Sequence, residues 1–181
     1  MRLEPLTFAH EAALNEAAAD GELWNTDVTI IPKPDGMNGY IQFALDGLTH
    51  GTQLPFVIVQ LSDHRIVGST RFYEISANDR KCAIGYTWLA KRAQRTPLNT
   101  EAKLLLLTHA FETWNCVRVE LITDVRNGQS RAAILRIGAK QEGILRKHLI
   151  LPSGRIRDSV VFSIIDSEWP EVKTNLLARL A

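Results

Sequence analysis

Residues 82–125 read CAIGYTWLAKRAQRTPLNTEAKLLLLTHAFETWNCVRVELITDV, and the order of patterns in this stretch decides the fold. Its first part, residues 82–89, follows a polar turn and predicts a strand. Residues 99–114 have the composition and spacing of a strong helix, preceded by Thr96, which suits the helix cap, and Pro97, which suits the first helical position. The closing run VRVELITDV predicts a second strand. The stretch therefore predicts strand, helix and strand in succession.

The upstream residues predict a helix, a loop-rich segment and a hairpin. Residues 9–19 are rich in alanine and predict a helix that stops at the following Asp-Gly pair, where glycine can form a left-handed cap. Prolines and glycines interrupt residues 24–51, which favours loops and one short helix across residues 39–48. A segment of this kind could line a substrate groove. Residues 56–61 and 65–75 are apolar runs on either side of an Asp-His pair and predict a strand hairpin.

The downstream residues predict a further helix and a second hairpin. A short helix is expected at residues 129–137, ending at a glycine, followed by strands at residues 141–151 and 155–165 around a Pro-Ser-Gly turn. The tail from Trp169 can add a final helix. No internal repeat or low-complexity linker interrupts the chain, so we expect a single domain over residues 1–181.

Charge and cysteine usage exclude several classes of protein. Lys and Arg total 21 and Asp and Glu total 20, so the net charge of +1 provides no overall field for nucleic acid or an anionic membrane. Cys82 and Cys116 lack the spacing of a zinc site, a redox motif or a disulfide framework, and we expect no metal. No signal peptide or long apolar run is found, which predicts a cytoplasmic protein.

Several short motifs occur in a fixed order: GYTWL (residues 85–89), NTEAKLLLLTHAFE (99–112), Asn127 with Ser130, Gly138, Glu142-Gly143 and Arg157-Asp158. Together they resemble the RimJ/RimL-type acetyltransferases of the GNAT superfamily. The resemblance implies an α+β (α/β) fold in which a mixed, mostly antiparallel sheet splays open at one end and is flanked by helices. It also implies that acetyl-CoA enters the V between the strand ending near Leu89 and the strand at residues 117–125.

The junction before the long helix is the expected phosphate site. A helix N-terminus offers unpaired N–H groups and a partial positive charge, which suit the pyrophosphate of coenzyme A. The loop KRAQRTPLN lacks the glycines usual in the family and has Arg95 and Pro97 in their places. Arg95 should close off glycine-like backbone angles and Pro97 removes a donor, whereas the charges of Lys91, Arg92 and Arg95 could offset these losses. The alternative is a solvated basic turn.

The resemblance assigns cofactor contacts to residues along both arms of the V. These are Trp88, Leu89, Arg92, Arg95, Thr96, Leu98, Asn99, Asn127 and Ser130. In RimL-like enzymes the serine that matches Ser130 is thought to protonate the departing thiolate, a task for which a positioned hydroxyl is sufficient. The alternative is that Asn127 and Ser130 are ordinary helix caps.

Acetyl transfer to an amine also requires an oxyanion donor and a general base. The donor is expected to be a backbone N–H near Trp88 or Leu89. RimL-like enzymes can carry a glutamate after the Glu-Gly pair, but the corresponding run ILRKHLIL has none and offers His148 instead. Glu74 and Asp158 are the rival candidates, although Asp158 could form only a structural pair with its neighbour Arg157. Ser130, His148 and Glu74 are thus the candidate catalytic residues.

Three classes of function remain at this point. The first is an acyl-CoA-dependent N-acetyltransferase that moves an acetyl group from acetyl-CoA to a primary amine, either a protein N-terminus or a small molecule. The second is a catalytically idle acyl-CoA-binding or regulatory module, favoured by the missing loop glycines and the unassigned base. The third, an RNA- or ribosome-associated module, rests only on the basic run at residues 145–148 with Arg155 and Arg157. Open strand edges in this fold commonly lead to homodimers.

Overall fold

Seven strands form one sheet in which a single neighbouring pair is parallel. The computed structural model describes residues 1–181. The strands are β1 (Arg2–Pro5), β2 (Gln53–Val59), β3 (Ile66–Ser76), β4 (Lys81–Leu89), β5 (Arg118–Asp124), β6 (Lys140–Ile150) and β7 (Ile156–Ile165). Their order is β1-β2-β3-β4-β5-β7-β6. Only β4 and β5 run parallel, because the long helix between them carries the chain back to the same end of the sheet.

Five α-helices cover the sheet. They are α1 (Glu11–Ala19), α2 (Met37–Thr49), α3 (Leu98–Thr108), α4 (Gly128–Arg136) and α5 (Trp169–Ala178). A π-helical turn, His109–Thr113, extends α3. Gly21 and Gly138 follow α1 and α4 with φ of +93° and +98°, so both helices stop where glycine takes the left-handed conformation.

The predicted fold class and the order of the predicted elements are confirmed. The helix expected across residues 39–48 is α2, and the two predicted hairpins are β2–β3 and β6–β7. One strand was missed. β1 pairs with β2 along its whole length, from Arg2 opposite Val59 to Pro5 opposite Phe56.

Two apolar clusters hold the helices to the sheet. One cluster packs α1 and α2 against β2 and the beginning of β3, and includes Leu14, Ile41 and Val57. The other packs α3 and α5 against β5 and β7, and includes Leu107 and Phe162. None of the helices has both the length and the apolar character needed to cross a membrane.

The sheet splays open between β4 and β5. These strands pair only at residues 81–83 opposite residues 118–120. Beyond that point residues 84–89 and 121–124 separate and form the two arms of a V. A bulge lies on the β4 arm: Arg71 is opposite Gly85 and Ser69 is opposite Trp88, so β4 carries one extra residue. Tyr86 lies in this bulge with φ of +50°, and the bulge bends β4 away from β5.

Candidate functional site

The β4 arm of the V directs the backbone N–H of Leu89 into the gap. Ala90 N donates to Val67 O at 2.7 Å, so the N–H of Ala90 faces β3. The backbone groups of an antiparallel strand point alternately to its two sides. The N–H of Leu89 therefore points away from β3, toward the gap, whereas that of Trp88 faces β3. Of the two residues expected near the oxyanion site, Leu89 is the one with a suitably directed donor.

The first turn of α3 also faces the open end of the V with unpaired donors. Glu101 N donates to Pro97 O at 2.9 Å, which makes it the first intrahelical bond. Leu98 is the first helical residue, so the expectation that Pro97 begins the helix is wrong by one position. Thr96 Oγ1 accepts weakly from Leu98 N at 3.4 Å. The N–H of Asn99 and that of the next residue have no acceptor within the helix and are available to an anion.

The loop before α3 keeps a glycine-like turn without glycine. Arg95 has φ of +60° and an exposed side chain, so the expectation that arginine closes off this conformation is wrong. Arg92 is less available to a phosphate than expected, because its backbone N and its Nη1 both donate to Asp20 Oδ2, at 3.2 and 2.9 Å. Lys91 and Arg95 remain the unpaired charges of this loop.

The β5 arm leads into the N-terminus of α4. Asn127 is the N-cap of α4, and its Oδ1 accepts from Ser130 N at 2.9 Å. The capping role considered for Asn127 is therefore present. Ser130 is half-buried, and its hydroxyl makes no hydrogen bond within the chain, which leaves it available to a ligand.

A buried ion pair at the end of β5 joins three segments. Asp124 is 0% exposed and binds Arg155, which also donates to the carbonyl oxygen of Asp27 in the α1–α2 loop. Arg126 N donates to Asp124 Oδ1 at 2.9 Å. Burial alone would raise the pKa of Asp124, but the bonds from Arg155 and Arg126 outweigh it and lower that pKa. This cluster was missed, because its members are far apart in the sequence.

The predicted bases lie on β3 and β6. His148 is exposed, its Nδ1 is 3.0 Å from Ser159 Oγ, and it lines an open groove of about 590 Å³ with the rest of residues 144–148. Glu74 is exposed on a bulge of β3 with φ of +49°. Asp158 Oδ1 accepts from Lys147 N at 2.6 Å, so its partner is the backbone of β6 rather than the side chain of Arg157.

Two tyrosines pack together at the β4 bulge. Tyr73 and Tyr86 pack edge to face, with ring centroids 5.4 Å apart. Burial is the main cause that raises the pKa of each phenol, and the negative charge of Glu74 adds to it. Both phenols therefore stay protonated at neutral pH and can donate a hydrogen bond.

Lys103 is a buried lysine that sequence reasoning passed over. It is 6% exposed on the sheet side of α3, and its Nζ donates to Thr87 Oγ1 at 2.7 Å. Thr87 Oγ1 is in turn 2.8 Å from Thr70 Oγ1. Burial lowers the pKa of Lys103 to about 7. A signal was available, since Lys103 occupies the same helical face as Ala102, Leu106 and Leu107.

Replacing Lys103 with methionine is expected to stabilise the protein at neutral pH. Between pH 7 and the ordinary lysine pKa of 10.5, the unfolded chain binds a proton that the folded chain does not, so the stability of the natural protein rises with pH in that window. Lys103→Met should remove this rise and add about 1–2 kcal/mol at pH 7. Urea unfolding at several pH values measures both effects. Lys33→Met, at an exposed lysine without an ion pair, is the control, and an unchanged pH slope in Lys103→Met would contradict the assignment.

Three comparisons place the chain among known proteins. A family model described as "Acetyltransferase (GNAT) domain" matches residues 1–140. The protein named "Putative ribosomal N-acetyltransferase YdaF" of Bacillus subtilis (strain 168) is 35% identical over 109 residues, which are 60% of this chain and 58% of that protein. The chain thus aligns with little more than half the length of that relative.

Solved structures match over nearly the whole chain. A "putative acetyltransferase" from T. thermophilus has a TM-score of 0.87 and 34% identity, covering 99% of this chain and 93% of that one. A GCN5-related N-acetyltransferase from Brucella melitensis has a TM-score of 0.87 and 29% identity, covering 99% and 82%. The family match, these structures and the splayed β4–β5 pair agree: the chain belongs to the acetyltransferase (GNAT) family.

Proposed function

We propose that the protein transfers an acetyl group from acetyl-CoA to a primary amine, by direct attack within a ternary complex. The observation that carries this proposal is the gap between residues 84–89 and 121–124, into which the N–H of Leu89 points. Family members use acyl-CoA donors, which fits a gap with a helix N-terminus at its open end.

The donor is proposed to bind along the V. The first turn of α3, with the N–H of Asn99 and the charge of Arg95, would hold the pyrophosphate. The pantetheine arm would lie between the two strands, where it can pair with backbone groups that β4 and β5 do not offer each other. Leu89 N–H would then stabilise the negative charge that develops on the thioester carbonyl oxygen.

The reaction requires two proton transfers that involve residues of the chain, one to a base and one to the departing thiolate. The neutral amine attacks the thioester carbonyl carbon, the C–S bond breaks, and the amine loses a proton to a base. His148 and Glu74 are the proposed bases, acting directly or through water. Ser130 is proposed to give its hydroxyl proton to the departing thiolate. The unbonded state of that hydroxyl supports this role, since it has no competing partner in the chain.

The acceptor is proposed to be a peptide N-terminus or a small amine. The name of the Bacillus subtilis relative, which refers to ribosomal substrates, makes peptide N-termini the first acceptors to examine. The experiment is a thiol-release assay with acetyl-CoA and a panel of peptides, amino acids and polyamines. Amine-dependent thiol release supports the proposal. Binding of acetyl-CoA, seen as a rise in the melting temperature, without release across the panel would instead indicate an idle acyl-CoA-binding module.

Ser130→Ala is expected to reduce kcat by about 10- to 100-fold while the Kd for acetyl-CoA changes by less than about threefold. The hydroxyl is used only as the thiolate departs, so its loss should leave ground-state binding almost intact. Steady-state kinetics with isothermal titration of acetyl-CoA separate the two quantities. The cap on α4 is retained, because Asn127 bonds to the backbone N of residue 130. A weaker affinity for acetyl-CoA with an unchanged kcat would assign Ser130 to binding alone.

A further inference from the structure

Arg71 is a fully buried arginine in the middle of the sheet. It is 0% exposed and lies on β3 opposite Gly85, next to the bulge that opens the V. Neighbouring residues of a strand point to opposite faces. The side chain of Thr70 therefore faces Lys103 and α3, and that of Arg71 faces the rings of α2.

Only one side of the Arg71 guanidinium is hydrogen-bonded. Its Nη1 donates to Gln53 Oε1 at 2.7 Å, whereas its Nε and Nη2 are shielded from solvent and have no partner. Arg71 forms no ion pair with any carboxylate of the chain. Nε and Nη2 share one edge of the guanidinium, and their parallel N–H groups form the fork that binds both oxygens of a carboxylate.

Aromatic rings stabilise the positive charge of Arg71 but do not accept hydrogen bonds from its Nε and Nη2. Its guanidinium carbon lies 4.2 Å from the ring centroid of Tyr86, 4.7 Å from that of Tyr40 and 5.9 Å from that of Phe43. Such contacts stabilise a cation but leave its N–H groups unpaired, which is costly in a buried position. Tyr40 is fixed by bonds to Ser69 and Trp88. Tyr86 and Phe43 are 40% and 52% exposed and form the outer cover.

A second arginine adds positive charge beside the same ring. Arg157 is half-buried, its Nε has no partner, and burial is the main cause that lowers its pKa. Tyr86 is within electrostatic range of both Arg71 and Arg157. The nearest buried carboxylate, Asp124, is already bound by Arg155. Glu74 also acts on Tyr86, so two arginines face one carboxylate around this ring and positive charge remains in excess.

The geometry points to an acceptor amine that also carries a carboxylate, an inference that rests on the proposed acetyl transfer. The carboxylate would be bound by the Nε–Nη2 edge of Arg71, beneath Tyr86 and Phe43. A carboxylate is the planar two-oxygen group that matches this edge. Arg71 lies beside the β4 bulge, so a short acceptor held there has its amine at the V. The carboxylate can be the α-carboxylate of a free amino acid or the acidic side chain near a peptide N-terminus.

The natural protein alone can test this site with matched amines. The panel contains an amino acid, its amide and the amine without the carboxyl group, together with peptides that differ only by Asp or Asn in the second position. The carboxylate-bearing member of at least one series should have a kcat/KM at least about 100-fold higher, because its absence leaves buried donors unpaired. The series that shows the preference identifies the source of the carboxylate.

Arg71→Lys links the preference to this residue. Lysine keeps the positive charge but loses the fork, so kcat/KM for carboxylate acceptors should fall by about 10- to 100-fold, mainly through KM, while that for neutral amines changes by less than about threefold. Arg179→Met, at an exposed arginine of the C-terminal segment without an ion pair, is the control and should leave both unchanged. If Arg71→Lys does not fold, the comparison of matched amines with the natural protein still tests whether the site binds a carboxylate.

Binding measurements separate this inference from the proposed transfer. With CoA present, carboxylate amines should raise the melting temperature of the natural protein, and their amides should not. The same result without any turnover would sustain the Arg71 site and overturn the transfer. Equal turnover and equal binding of acids and amides would overturn the Arg71 site and leave the transfer standing.

Discussion

Replacing Gly68 with alanine is expected to lower the free energy of unfolding by more than about 3 kcal/mol. A Cβ at residue 68 would fall far inside van der Waals contact with the carbonyl oxygen of Trp88, and 3.1 Å from Leu89 Cα. β3 lies between β2 and β4, so it cannot move away from β4 without disturbing its other neighbour. The melting temperature should fall by roughly 6–12 °C, which differential scanning calorimetry measures.

The same substitution should also damage the site, because the displaced backbone belongs to the β4 arm and carries the N–H of Leu89. Acetyl-CoA should therefore raise the melting temperature of Gly68→Ala by less than it raises that of the natural protein. Gly143→Ala is the matched control: it lies on β6, and nothing stands within 4 Å of the added carbon. If Gly68→Ala melts at the same temperature as Gly143→Ala, the close approach of β3 and β4 is not a constraint on the fold.

Replacing Arg155 with methionine is expected to cost about 3–5 kcal/mol, because it leaves the buried carboxylate of Asp124 without its charged partner. Asp124 would retain the hydrogen bond from Arg126 N. Arg126→Met is the control in the same region: its side chain pairs with Asp27 at 3.1 Å, and both side chains are more than half exposed. An exposed pair of this kind contributes less than about 1 kcal/mol.

Chemical denaturation should show that the cost arises from the buried charge. Adding Asp124→Asn to Arg155→Met should recover part of the lost stability, since the amide carries no charge. The difference between Arg155→Met and the natural protein should also narrow in acid. Without Arg155, burial favours the protonated carboxyl group, whereas in the natural protein the bond from Arg155 lowers the pKa of Asp124. A loss no larger than that of Arg126→Met would contradict this account.

The fold was predictable because its decisive signals are local. Helix periodicity at residues 99–114 and turn residues at the hairpins set the order of elements, and the motif resemblance supplied the splay. β1 was missed because RLEP is too short to show alternation and contains a proline. It forms a strand only because its backbone pairs with that of β2. This is a tertiary contact that the local sequence does not reveal.

The candidate site was predictable only in part. Sequence reasoning identified the helix termini that contain Asn99 and Ser130, because helix starts carry recognisable residues. It could not identify the Asp124–Arg155 pair, whose members are brought together by strand pairing. It did not single out Arg71 or Lys103, because only their burial in the structure makes them notable.

The short pairing between β4 and β5 leaves two half-sheets, β1–β4 and β5–β7–β6, that are each held by long antiparallel ladders but share only three residue pairs. They are joined mainly by a common apolar core, which includes Ile84 on β4 and Leu121 on β5. A ligand that pairs with the backbone of both strands would therefore add the hydrogen-bonded connection that the sheet itself lacks at this point, so donor binding should stabilise the contact between the two half-sheets as well as fill the site.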